Sequence, residues 1–182
     1  MKPSEMFDPK WVDRFVKAAE AAAATVERIG RSPEALKSAL VQAAGETEPV
    51  LLAEPDFLPP ELFAPFRELS NVITHPDDKQ LASVRIGVTD AFAGIARTGS
   101  VCVSISKNLG GSVSLFAREH IAVLDARSIV PRPRDLFSNH YFQRERLPEN
   151  FVLITGPSAT ADMGELVRGV HGPGRVHILL II

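Results

Sequence analysis

Residues 154–182 read ITGPSATADMGELVRGVHGPGRVHILLII, and the two apolar ends of this passage decide the fold. VHILLII (176–182) and NFVLIT (150–155) are short continuous apolar runs. Strict alternation would indicate a strand with one wet face. An unbroken run of Val, Ile and Leu fits a strand covered on both faces, as in a mostly parallel sheet. The middle holds Gly, Pro, Ser, Thr, Asp and His, residue types that make turns and caps and that also hold ligands.

Working outward, HIAVLDA (120–126), SVCVSIS (100–106), VRIGVT (84–89), SNVITH (70–75) and PVLLAE (49–54) read as further strands. PPELFAPFREL (59–69) starts on prolines and carries Leu62, Phe63 and Phe66 at helical spacing, DDKQLAS is a short helix, and PRPRDLFSNHYF (131–142) starts a helix on proline. KNLGGSV (107–113) reads as a turn, and DAFAGIART (90–98) fits helix or strand equally. Strands alternating with helices predict an α/β domain of three layers around a mostly parallel sheet over 48–182. Upstream, Trp11, Val12, Phe15, Val16, Ala19, Ala22, Ala23, Val26 and Ile29 form one apolar stripe, which predicts a helix over 8–29. Asp8-Pro9 starts it and Gly30 stops it, and Ser32-Pro33-Glu34 opens a second helix to about Ala44. Residues 1–47 therefore read as an N-terminal helical arm. Its stripe needs a covering surface, supplied by the main domain or, in a homo-oligomer, by a second subunit.

A chain of 182 residues, 45% apolar and 23% charged, is one domain with a sizeable core. A net charge of −2 gives no field that would attract nucleic acid or an anionic membrane, and the apolar runs are too short to span one. The N-terminal residues lack the apolar stretch of a secretory signal, so a cytoplasmic protein is expected. The one cysteine, Cys102, rules out an internal disulfide and cannot hold an iron–sulfur cluster by itself; within SVCVSI it reads as a core residue. The five histidines show no HxxxH, HxH or HExxH spacing, so no metal site is expected.

Three polar segments follow strand candidates: GVTDA (87–91), RTGS (97–100) and TGPSATAD (155–162). In open α/β sheets ligands bind beyond the carboxyl ends of strands, where free backbone N–H groups suit anions. Gly156 permits close backbone approach, Ser158 and Thr160 offer hydroxyls, and Asp162 is placed to cap a turn or to bind a ligand. The same residues fit plain turn and cap roles equally well. In VHGPG (170–174), His171 is a candidate acid, base or donor, or a turn residue. Candidate catalytic carboxylates are Asp90, Asp162 and Glu165. Arg132, Arg134, Arg144 and Arg146 cluster locally, as a solvated face or an anion-binding lip.

GVTD…GIARTGSVCVS, REHIAVLDARSIVP and LITGPSATADM…LVRGVHGPGRVHILLI together resemble the LUD domain, the domain of lactate utilisation protein C and its relatives. The resemblance covers roughly residues 48–182. It implies an α/β fold similar to the sugar-phosphate isomerase and CoA-transferase group. It also implies a place in a cytoplasmic system that oxidises lactate to pyruvate, with iron–sulfur clusters on partner subunits rather than on this chain. The pattern carries over at Gly87, Thr89, Ile95, Ala96, Thr98 and Gly99, at Gly156, Pro157, Ser158, Thr160, Ala161 and Asp162, and at Val170, His171, Gly172 and Pro173. It departs at acidic positions: Phe92 and Arg97 stand where relatives have acids, and the usual Asp-Ile-Glu reads Asp162-Met163-Gly164, with Glu165 one step late. Arg for an acid swaps acceptors for donors and inverts the charge.

Three functions follow as expectations. One is an accessory or regulatory component of lactate oxidation, binding a small anionic metabolite or a phosphate-bearing cofactor through Gly87, Thr89, Thr98, Gly99, Gly156, Ser158, Thr160, Asp162, His171 and Gly172. Another is an isomerase or acyl-CoA transferase-like enzyme using a loop carboxylate. A third is a scaffold docking partners through the helical arm. The ligand reading requires Thr89, Thr98 and Ser158 to meet at one edge of one sheet.

Overall fold

The run that opened the reading is the second strand of a six-stranded, wholly parallel sheet. The computed structural model describes residues 8–105, 109–138, 147–162 and 164–182. In chain order the elements that build it are α1 (Pro9–Ala21), β1 (Thr25–Ile29), α2 (Pro33–Ala44), β2 (Val50–Leu52), α3 (Ala64–Arg67), β3 (Val72–Ile73), α4 (Asp78–Ser83), β4 (Ile86–Ala91), β5 (Ala93–Ile95), β6 (Ser100–Ser104), α5 (Gly110–Phe116), β7 (Glu119–Asp125), β8 (Ile129–Val130), β9 (Phe151–Ile154), β10 (Ala159–Thr160), β11 (Val167–Arg168) and β12 (Arg175–Ile181). The main sheet runs β1-β12-β7-β4-β2-β3. A second sheet, β8-β5-β6-β9, packs beside it, and β10-β11 is a small antiparallel pair.

The main sheet is covered on both faces, as the continuous apolar runs require. Ile121 and Val123 of β7, with Leu179 and Ile181 of β12, pack with Leu36 and Leu40 of α2 and with Phe63 and Phe66 around α3. Their neighbours Ala122, Leu124, Ile178 and Leu180 face α1 (Val12, Phe15, Ala19) and the second sheet (Val101, Val103). The α/β fold class, three layers on a mostly parallel sheet, is therefore as the sequence predicts.

Several local expectations are corrected. The first helix ends at Ala21 and does not reach residue 29. Thr25–Ile29 instead forms β1, which pairs with β12 from Thr25↔His177 to Ile29↔Ile181. Five backbone ladder positions and burial of Ile29 outweigh continuing the helix, and Ala23, at φ +65°, makes the turn between them. Residues 1–47 thus supply an edge strand as well as two helices. The stripe of α1 is buried within the chain: Phe15 and Ala19 are fully covered.

Of the turn expected at 107–113, residues 107 and 108 lie outside the described residues, and a helix, α5, occupies the stretch from Gly110. Residues 131–142 give only a 3₁₀ turn over Pro133–Phe137 among the described residues, and 59–69 splits into a 3₁₀ turn and α3. The ambiguous stretch 90–98 is extended, finishing β4 and forming β5. β9 is the instructive miss. It is apolar throughout, yet it joins the second sheet antiparallel to β6, and Leu153 is 44% exposed. A continuous apolar run here marks a strand with one uncovered face beside a cavity.

Candidate functional site

Two of the three predicted loops meet through their hydroxyls. Thr98 Oγ1 lies 2.7 Å from Ser100 Oγ, and Ser100 Oγ lies 2.7 Å from Thr155 Oγ1. This chain of three hydroxyls ties RTGS to the start of TGPSATAD, with Ser100 buried at its centre. Gly99 (φ +67°) and Gly156 (φ +67°) make the meeting possible. A Cβ on Gly99 would collide with the backbone of Ala19, and one on Gly156 with the carbonyl oxygen of Ala22. The close backbone approach expected at Gly156 therefore serves packing on the C-terminal end of α1. Further along, Ser158 N–H donates to Pro173 O (2.8 Å) and Gly169 N–H to Ser158 O (2.9 Å), which locks the GPS turn onto VHGPG.

These loops form one wall of a cavity of about 550 Å³. It is lined by Thr155, Gly156, Pro157 and Ser158, by His171, Gly172 and Pro173, and by Val152–Ile154 of β9. The opposite wall is α5 (Gly111, Ser112, Ser114, Leu115, Phe116), with Ile105 and Val176. α5 leads into β7 and residues 171–173 lead into β12, so the cavity lies at the amino ends of the main sheet. That position differs from the carboxyl-edge crevice expected from α/β folds in general. The contribution of α5 was hidden because Lys-Asn-Leu-Gly-Gly reads as a turn; Ser112, Ser114, Leu115 and Phe116 behind it were the available signal.

The remaining predicted residues sit elsewhere. Thr89 is buried, and its Oγ1 is 2.9 Å from Nε2 of the fully buried His120. Gly87 lies under α5, where a Cβ would come 2.6 Å from Val113 O. Neither lines the cavity, nor do Thr98 and Gly99, which connect to it only through Ser100 and Thr155; Thr89, Thr98 and Ser158 therefore do not meet at one sheet edge, and the shared three-loop pocket expected from the sequence is not formed. Thr160 belongs to β10 and accepts a bond from Asp162 N–H (3.4 Å), a turn role. Asp162, Gly164 and Glu165 are exposed. Asp90 is 4% exposed, and its Oδ2 accepts N–H bonds from Asp56, Phe57 and Leu58 at 3.0, 2.7 and 3.0 Å. It anchors the segment after β2. Burial raises its pKa, and the three donors oppose that rise.

The positions that depart from the LUD pattern have distinct surroundings. Phe92 is buried between Phe57 and Phe151, with ring centroids 5.3 and 5.2 Å away. Arg97 is exposed, and its backbone N–H donates to Pro131 O. Arg132 and Arg134 flank Asp135 at 3.1 and 3.9 Å, while Arg144 and Arg146 lie outside the described residues. The Cys102 thiol is buried, and burial pushes its pKa up to about 12, which suits a core residue and not a nucleophile. Burial also lowers His120 to about 4, so it is neutral. Its Nδ1 has no hydrogen-bond partner among the described residues. Among those residues no group of three or more His, Cys, Asp or Glu is placed to hold a metal ion, and no helix is long and apolar enough to cross a membrane.

The LUD domain family model matches residues 65–181. The chain belongs to the LUD domain family. Over 107 residues this LUD domain chain is 35% identical to lactate utilization protein C of Bacillus subtilis (strain 168), covering 57% of this chain and 45% of that protein. It is 32% identical over 123 residues to lactate utilization protein C of Halalkalibacterium halodurans, covering 63% and 54%. It is 33% identical over 107 residues to the uncharacterized protein YkgG of Escherichia coli (strain K12), covering 56% and 46%. The chain thus spans about half the length of the curated relatives it matches. Among solved structures, a DUF162 family protein from Deinococcus radiodurans superposes with a TM-score of 0.64 at 18% identity, over 100% of this chain and 99% of that one. That likeness concerns the fold.

Proposed function

We propose that this LUD domain chain is an accessory component of lactate utilisation that binds a small anionic metabolite in the cavity between α5, β9 and the 155–158 and 171–173 loops. The observation that carries the reading is the junction of Ser158 with Gly172 and Pro173 beside that cavity. It brings a hydroxyl, an imidazole and turn backbone to one apolar hollow, the mixture that orients small ligands. The names of the Bacillus and Halalkalibacterium relatives support the pathway. Among the described residues the lining contains no lysine or arginine, the side chains that hold multiply charged phosphates, so a singly charged carboxylate is the anion proposed. In this reading oxidation falls to the iron–sulfur partner subunits that the resemblance to the LUD domain implies. Two further placements weigh against the alternatives. Asp90 is engaged by three backbone donors away from the cavity, and the stripe of α1 is covered inside the chain.

The test is thermal unfolding with lactate, pyruvate, inorganic phosphate and coenzyme A. A carboxylate that binds only the folded chain stabilises it by about 2.7 kcal/mol at a hundredfold excess over Kd. Ser158→Ala should remove most of the shift. A shift with phosphate or coenzyme A and none with either carboxylate would refute the carboxylate reading, and silence with all four would refute ligand binding.

A further inference from the structure

We infer that Thr155 is the donor that selects the head group of the ligand, and that Thr98 and Ser100, which do not line the cavity, turn its hydrogen outward. The inference rests on the carboxylate reading of the same site and adds the residues that determine its specificity. Thr155 lines the cavity and is exposed, Ser100 behind it is buried, and Thr98 beyond that is half-buried. The backbone sets up this row. β6 and β9 are antiparallel with Val101 opposite Ile154, so Ser100 and Thr155 are the next opposed pair. Gly99 and Gly156 seat the two segments on the end of α1, which fixes the heavy atoms without help from a ligand.

Three hydroxyls in a row have three hydrogens and two links, so one hydrogen leaves the row at one end. Each link is 2.7 Å, the usual distance for O–H···O. Among the described residues Thr98 Oγ1 has no hydrogen-bond partner except Ser100 Oγ, and Ser100 Oγ has none except Thr98 and Thr155. A row running inward would strand the Thr98 hydrogen in a half-buried position, and a stranded donor costs more than an acceptor with a spare lone pair. The row therefore runs outward: Thr98 donates to Ser100, Ser100 donates to Thr155, and the Thr155 hydrogen is left for the cavity. Each hydroxyl also polarises the next, which strengthens the last donor. The cavity thus offers an oriented O–H to an acceptor, and a carboxylate oxygen forms the stronger, charge-assisted bond with it. An ammonium group only donates, so it meets Thr155 with the wrong polarity.

The experiment is calorimetric titration of the 182-residue chain with lactate, pyruvate and n-propylammonium. It is repeated on Thr155→Val, Thr155→Ser, Thr98→Val, and Thr98→Val combined with Thr155→Val. Position 155 is exposed, so valine there leaves the fold intact. Thr155→Val should weaken both acids about tenfold, the worth of one charge-assisted bond, and Thr155→Ser should retain native affinity. Thr98→Val is isosteric and outside the cavity; it should weaken both acids about twofold and have no effect once Thr155 is already valine. Propylammonium should bind the native chain more weakly than either acid. If Thr155→Val binds the acids as tightly as the native chain, if the Thr98→Val effect persists in the Thr155→Val background, or if propylammonium matches the acids, this inference fails and the carboxylate site stands. If the native chain binds neither acid, both readings fall together.

Discussion

Lowering the pH from 7 to 5 should destabilise this protein through one buried ring. His120 is fully buried on β7, flanked in register by Gly87 and Val176, neither of which carries charge. Its only hydrogen bond among the described residues is with Thr89, and desolvation takes its pKa from 6.5 down to about 4. The folded state therefore binds this proton more weakly than the unfolded chain, and stability falls as pH drops from the unfolded value towards the folded one. Both states are neutral at this ring above pH 7, and the penalty saturates below pH 4. With those two pKa values, linkage gives a loss of about 2 kcal/mol between pH 7 and pH 5 and about 3 kcal/mol at the limit. Against a stability of about 5–15 kcal/mol for a domain of this kind, such a loss is readily measured.

The assay is urea unfolding at half-unit pH steps on the native chain and on His120→Gln, which keeps a polar partner for Thr89 and does not titrate. Other groups also move: burial lowers His177, adding to the acid loss, whereas Asp90 is raised and opposes it. Because both proteins share those groups, the difference between the two curves isolates His120. Curves that run parallel from pH 7 to pH 5 would show that His120 titrates normally when folded and would refute the burial argument.

Other substitutions have equally definite outcomes. Gly156→Ala and Gly99→Ala each combine a left-handed backbone with a collision against α1, and each should cost more than about 2 kcal/mol in chemical denaturation. Asp90→Ala should cost about 1–3 kcal/mol, chiefly through the buried Leu58 N–H it strands, since the bonds from Asp56 and Phe57 are part-buried, whereas Asp90→Asn, which retains an acceptor, should cost less; equal losses would sever Asp90 from the 56–58 segment. Ser100→Ala breaks the hydroxyl chain at its centre, and its loss of ligand-induced thermal shift should exceed its own change in stability, as measured without ligand. Phe92→Ala should cost about 3–5 kcal/mol by opening the Phe57–Phe151 cluster.

The main sheet was legible because its central strands are buried on both faces, so HIAVLDA and VHILLII carry the signal in composition alone. β1 was not legible. TVERI continues the apolar spacing of α1, and only the open edge of β12, a partner about 150 residues away, makes it a strand. β9 looked like β12 because both are unbroken apolar runs, and period analysis cannot separate a strand buried on both faces from one that borders a cavity. The site was half legible for a related reason. Ser158, His171 and Gly172 declare themselves through turn chemistry, but α5 and Ile105 carry aliphatic groups that read as ordinary core.

The location of the cavity follows from how the polar groups at the other edge are used. At the carboxyl ends of β4 and β7 stand Asp90 and Asp125, the acids best placed for a ligand in an open α/β sheet. Both are satisfied by the chain itself. Asp90 gathers three backbone N–H groups, and Asp125 takes the Arg127 side chain and backbone together with Arg31. The bonds from Arg127 and Arg31 hold Asp125 below the usual carboxylate range although burial pushes the other way. A ligand arriving there would have to displace bonds that already stabilise the fold. At the amino ends the balance is reversed. The second sheet runs β9 antiparallel to β6 and delivers Thr155–Ser158 to the start of β12, where α1 fixes the turn through Gly156. Ser158 Oγ makes no hydrogen bond to another described residue there, and Leu115 and Phe116 are exposed, so the ligand proposed for this end would form contacts without first breaking any.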